Sequence, residues 1–210
     1  KKDGIAMTYS KVRRLLAAAV LLLALAGAAA AGARERSRIR AVQETEQAVV
    51  RFHIRANSDS QEGQELKMQV KNAVAQTLSG ILSDAGTKEE TERLLETSLE
   101  KIEKSAGDAV RENGSSDEVS VSWGEAVYPE KRWGDMYLPA GRYESLIVCI
   151  GEGKGHNWWC TLYPLLGFSD ILTVEKGSGE EKILEDALPD AVREVLLHPE
   201  RVKLQFRWFG

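Results

Sequence analysis

The 210-residue sequence holds only two cysteines, three histidines and five prolines, shows no excess of positive charge, and has a single long hydrophobic run. Two cysteines exclude a disulfide-dense scaffold and a four-cysteine zinc module. Scarce proline beside 43% hydrophobic residues excludes a disordered chain. The length suits one domain of ordinary size, or at most two small ones. The net charge of −4 is unevenly shared: residues 1–33 carry +4 and the remainder carries −8. An acidic body argues against a nucleic-acid partner, because phosphate contacts need clustered Lys and Arg. The G-x-S-x-G and H-E-x-x-H patterns are absent, which removes the commonest serine-hydrolase and zinc-protease signatures.

The hydrophobic run lies near the start. Met7 is the first methionine and the expected start, Lys11, Arg13 and Arg14 form a basic cluster, and Leu15 to Leu25 is unbroken Leu, Ala and Val. Small residues follow to Ala31-Gly32-Ala33, and charge returns at Arg34, Glu35 and Arg36. A positive segment, an apolar segment and an A-x-A pattern make a secretory signal peptide, or else an uncleaved N-terminal anchor. Cleavage is the favoured expectation, because the second half of the run is Ala and Gly. On either reading the basic flank stays inside and the chain after Ala33 is exported, and a membrane is touched only through this segment, if it is uncleaved. The expected organisation is signal or anchor over 1–33, a lead-in or fraying helix over 34–48, and one exported domain over 49–210.

Within that domain the hydrophobic period changes. Val49 to Ile54 alternates apolar and polar side chains, the pattern of a half-buried strand. Asn57-Ser58-Asp59-Ser60 offers capping oxygens, and Leu66, Val70, Ala73, Val74, Leu78 and Ile81 recur at helical spacing. Thr87 with Glu90 predicts a capping box that opens a second helix reaching Val110. The second half is strand-like at Val119 to Trp123, Ala126 to Tyr128 and Tyr143 to Ile150, the last entered by the turn Leu138-Pro139-Ala140-Gly141. A Gly-rich and aromatic segment covers Gly151 to Phe168. A polar loop over Lys176 to Glu180, a helix over Asp190 to Leu197 and a strand over Val202 to Phe209 complete the reading. Strand, helices, then neighbouring strands predict an α+β domain with a mainly antiparallel sheet and two or three packed helices.

Gly151, Gly153 and Lys154 sit where phosphate loops sit, but Gly155 follows the Gly-Lys pair where a Walker loop needs Ser or Thr. The expectation is therefore no nucleotide and no other cofactor. Such a loop can instead present bare N–H groups to a partner, or be a plain hairpin tip. Cys149, His156 and Cys160, with His53, invite a metal reading, yet C-x6-H-x3-C is not a known ligand spacing, so no metal is expected. A Cys160/His156 nucleophile pair lacks a third orienting group. A Cys149–Cys160 disulfide across a hairpin and two buried thiols stand as equal expectations. His53, Asn57 and Asp59 form a polar group at the strand end, read either as a contact site or as turn and cap chemistry. Trp158 and Trp159 are adjacent, so one can enter a core while the other faces a partner.

Two stretches resemble the stage II sporulation protein R family. FHIRANSDS (Phe52 to Ser60), running into Gln64-Glu65-Leu66-Lys67 and Val70-Lys71, is similar to the start of its conserved region. LPAGRYESLIVCIGEGKGHNWWCTLYPLLGF (Leu138 to Phe168) is similar to its second signature. The family's second cysteine, just after the Pro-Leu stretch, is replaced here by Leu166-Gly167. The resemblance implies a protein made in the forespore and exported between the two membranes. There it activates a membrane-embedded aspartic peptidase, which cleaves the pro-form of sigma-E. The chain would then be a non-enzymatic signal acting through Gly151 to Cys160, with His53, Asn57 and Asp59 as a second contact. Other readings are a peptidoglycan-binding module that stacks Trp on sugars and a secreted Cys/His hydrolase.

Overall fold

The computed structural model describes residues 2–133, 136–164 and 179–198. Contacts divide the chain into two units, Lys1–Ala41 and Val42–Gly210. The first consists of helix α1 (Lys2–Ala48) up to Ala41, and the last turns of α1 belong to the second. The expected lead-in over 34–48 is thus continuous helix. Residues Lys11–Ala48 contain a stretch long and apolar enough to cross a membrane, with none of it buried.

The second unit begins with strand β1 (Val50–Arg55), followed by three helices, α2 (Gln61–Ile81), α3 (Lys88–Glu96) and α4 (Leu99–Glu112). Then come strands β2 (Val119–Tyr128), β3 (Lys131–Trp133), β4 (Met136–Leu138), β5 (Gly141–Ile150) and β6 (Asn157–Tyr163), and helices α5 (Gly179–Ala187) and α6 (Asp190–Leu197). Ser60 caps α2, its hydroxyl accepting from the Gly63 N–H at 3.1 Å. Leu66, Val70, Val74 and Leu78 then recur every fourth residue and are buried. The Thr87–Glu90 capping box forms as the sequence predicts. The predicted long second helix is in fact two. At the break the Thr97 hydroxyl donates to the Arg93 carbonyl at 2.8 Å, a local bond that competes with helix continuation, and α4 restarts at Leu99.

Four strands form one sheet in the order β2-β5-β1-β6, and β3 pairs with β4 separately. The fold is α+β, and the sheet is mixed: β1 runs parallel to β5, while the β1–β6 and β2–β5 pairs are antiparallel. The two β-rich pieces expected around Gly124 are one strand, β2. β1 is central, and it is buried on both faces rather than half-buried: only Arg55 of its six residues is exposed. On one face Phe52, Ile54, Leu146, Val148 and Cys160 pack with Leu66, Val70, Leu78 and Ile102 from α2 and α4. On the other, Tyr128 and Tyr143 join Val49, Leu138, Val192 and Leu196. The loop expected over Lys176 to Glu180 is already helix from Gly179, because α5 starts there. α6 has the predicted bounds, and the predicted strand over Val202 to Phe209 lies outside the described residues.

Candidate functional site

Strand alternation sends neighbouring residues of β1 to opposite faces. Cross-strand partners share a face, so Phe52 and Ile54 sit with Cys160 and Trp158, whereas Arg51 and His53 sit with Thr161 and Trp159. Trp158 and Trp159 therefore enter different layers. Trp158 meets Phe52 edge-on at 5.6 Å and lies under the Lys71 ammonium, while Trp159 meets His53 at 4.9 Å and Tyr128 at 4.9 Å. Both are half-buried, and neither is the freely exposed anchor the sequence allowed.

The same alternation breaks up the predicted polar group at the strand end. His53 is 1% exposed, and neither ring nitrogen has a hydrogen-bond partner among the described residues. Burial, with the charges of Arg55 and Arg51 beside it, lowers its pKa to about 4, so the ring is neutral at pH 7. Next to it lies a cluster that the sequence reading missed. The buried Arg51 guanidinium stands 4.2 Å from the Tyr128 ring centre and 5.2 Å from that of Tyr143, and its Nε donates to the Cys160 carbonyl at 3.3 Å. The Tyr128 and Ser145 hydroxyls are hydrogen-bonded to each other, and the Tyr143 hydroxyl donates to the Pro139 carbonyl at 2.7 Å. Desolvation raises the Tyr128 pKa to about 12. The signal was present in the alternation itself, since Arg51 shares the parity of His53 in a strand rich in buried residues. These groups fix the second layer of the sheet.

Asn57 and Asp59 do something different. They hold the loop between β5 and β6, which comes back over the loop between β1 and α2. The Asn57 side chain donates to Asp117 at 2.9 Å and accepts from the Glu152 N–H at 3.0 Å. The Gly155 N–H donates to the Ala56 carbonyl at 2.9 Å. One oxygen of Asp59 accepts from the His156 N–H at 2.5 Å and also meets His156 Nδ1 at 2.5 Å. These bonds hold the Asp59 carboxyl below its usual range. The Lys67 ammonium donates to the His156 carbonyl at 3.1 Å, tying the loop to α2.

Glycine makes the close approach feasible. A Cβ on Gly155 would lie 2.2 Å from the Ser58 carbonyl oxygen, and Gly151, at φ +55°, approaches the Asn57 side chain as closely as 2.4 Å from its ideal Cβ position. Gly153, Lys154 and Glu152 form the outer rim, where Lys154 and Glu152 pair at 2.5 Å with side chains about 70% exposed. The hairpin tip of the sequence reading is thus a docked, preshaped loop. Asn57, Asp59, Gly151, Gly153 and Lys154 come together in it, and His53 does not.

Of the two equal expectations, the disulfide does not form: Cys149 and Cys160 are free thiols, Cys160 buried and Cys149 partly exposed. β1 lies between their strands, and the two residues face opposite sides of the sheet, Cys149 beside Arg55 and Cys160 beside Phe52. Strands two places apart are separated by about 9.6 Å, more than a disulfide can bridge. The Cys160/His156 pair is not assembled either. Burial pushes the Cys160 thiol up to about 11, whereas His156 stands on the exposed rim bound to Asp59. No cluster of three or more His, Cys, Asp or Glu able to hold a metal occurs among the described residues.

Together these features define a small α+β domain with a polar loop held in one shape by hydrogen bonds, preceded by a helix of membrane-spanning length. The family model for stage II sporulation protein R matches residues 46–173. Stage II sporulation protein R of Bacillus subtilis (strain 168) is 33% identical over 152 residues, covering 68% of this chain and 68% of that protein. The chain belongs to the stage II sporulation protein R family, which places its role in sporulation. No solved structure matches it.

Proposed function

We infer that this chain is an exported sporulation signal that activates a membrane-embedded aspartic peptidase, so that the pro-form of sigma-E is cleaved. Made in the forespore, it acts in the space between the two membranes and couples mother-cell transcription to forespore development. It makes and breaks no bonds itself. The mechanism is a population shift: the domain binds the competent state of the peptidase more tightly, and each ~1.4 kcal/mol of difference moves that equilibrium tenfold. The observation that supports the reading best is the extent of the family match, residues 46–173, which spans the four-stranded sheet and both docked loops.

The contact surface on this reading is the rim formed by Asp59, Glu152, Lys154 and His156, whose side chains are all more than half exposed. Trp158 and Trp159 follow that rim in β6 and pack on opposite faces of the sheet. Co-expression of this chain, the peptidase and pro-sigma-E in a non-sporulating host tests the reading. Cleavage that appears only when all three are present supports it. Cleavage without this chain, or none when the exported chain is present and folded, contradicts it.

A further inference from the structure

Helix α1 is apolar in its middle and cationic on both sides of that stretch. Lys11, Arg13 and Arg14 precede the run, and Arg34, Arg36, Arg38 and Arg40 follow it. Leu15, Val20, Leu22 and Leu23 are 66–73% exposed, so this surface is built for a solvent other than water. Arg14 and Arg34 are 20 residues apart. At ~1.5 Å per residue their Cα atoms lie about 30 Å apart, the thickness of the hydrocarbon layer. Each cationic set therefore falls at one rim of a bilayer.

The second set has a definite shape. Alternate positions on a helix are turned by about 200°, so Arg34 and Arg38 leave one side while Arg36 and Arg40 leave the other. The guanidinium groups surround the helix. A helix lying flat in the interface needs one cationic and one apolar face, which this segment does not have. Glu35 is the sole acid among residues 34–41, 3.9 Å from Arg38, so the segment carries a net +3. Residues 42–210 hold 19 basic and 30 acidic side chains, a net of −11. A body so charged is repelled by an anionic surface, and attraction has to come from the arginines. Arginine, with its planar fork, pairs with phosphate oxygens two at a time.

We propose that Arg34, Arg36, Arg38 and Arg40 form a collar that binds anionic phospholipid headgroups at the bilayer rim on the C-terminal side of the span. Because Arg34 directly follows Ala33, the collar stays with the α+β unit whether or not the apolar segment is removed after Ala33. It confines the domain to a membrane surface, where a membrane-embedded partner is met at high effective concentration. The inference concerns lipid alone and is independent of the peptidase reading.

The test is lipid retention by the full chain, purified in mild detergent from membranes of mixed phosphatidylcholine and phosphatidylglycerol and read by native mass spectrometry. The collar variant carries Arg34→Gln, Arg36→Gln, Arg38→Gln and Arg40→Gln, and a reciprocal variant carries Lys11→Gln, Arg13→Gln and Arg14→Gln. Wild type should retain phosphatidylglycerol over phosphatidylcholine by about tenfold, the reciprocal variant should keep most of that preference, and high salt should weaken it. The collar variant should lose most of it while giving an unchanged circular dichroism spectrum. A wild type without preference, or a collar variant that retains the full preference, overturns the proposal.

Discussion

His53 shows what burial does to a single ionisable side chain. Its pKa is lowered to about 4 from an ordinary 6.5, so it makes no pH-dependent contribution above pH 6.5. As pH falls from about 6.5 towards 4 the unfolded chain takes up a proton that the folded chain refuses, and stability drops by about 3 kcal/mol. Urea midpoints at pH 7 and pH 4 should therefore converge in His53→Phe relative to wild type, with the pH 7 value little changed. A wild-type excess slope that survives the substitution would contradict this assignment. Asp59 has the opposite sign. Its carboxyl is depressed below 3.8 by the His156 N–H and ring, so the bonds holding the loop are intact above that value and are lost as pH falls through the lower folded one. Protection of the Gly155 and His156 amides, taken relative to their intrinsic exchange rates at each pH, should be high at neutral pH and lost in strong acid. In Asp59→Ala it should be low throughout. The two tryptophans belong to packing: Trp158→Ala and Trp159→Ala should each cost about 3 kcal/mol in denaturant unfolding.

Among the elements, the loop between β5 and β6 is held by bonds to Ala56, Asn57, Asp59 and Lys67. Gly155→Ala places a methyl group against the Ser58 carbonyl, and the loop must lift. The expected loss is about 1–3 kcal/mol, with faster exchange confined to Gly151–His156. Gly80→Ala is the control, for α2 leaves open space around that position and the change should stabilise by about 0.5–1 kcal/mol. These elements were legible to different degrees. α2, the Thr87 capping box, β5 and α6 could be read because their signals are local: a cap, a period, a turn. The parallel pairing of β1 with β5 could not, since Phe52 and Leu146 are register partners that lie far apart in sequence, with three helices and three strands between them, and no local signal encodes the match. That pairing also separates Cys149 from Cys160 and carries Arg51 into a layer with Tyr128 and Tyr143. The loop's glycines were legible as unusual, but the contact with Asn57 and Asp59 that explains them is made only in the folded sheet.

For the whole molecule, charge and site divide along the chain. A cationic, apolar helix comes first, and an acidic α+β unit with a docked polar loop follows. Among the described residues no metal cluster occurs and Cys160 and His156 stand apart, while several hydrogen bonds hold one loop in one shape. Preorganisation of this kind favours binding, because the ordering cost is met before the partner arrives. The central claim is therefore that activation occurs by contact through this rim. It is tested most directly by exchanging the exposed pair, Glu152→Lys with Lys154→Glu, which keeps the local ion pair but reverses its order, and measuring pro-sigma-E cleavage in the reconstituted host. The account predicts a fall of at least about tenfold with thermal stability unchanged. Cleavage at the wild-type level by the folded variant would contradict it.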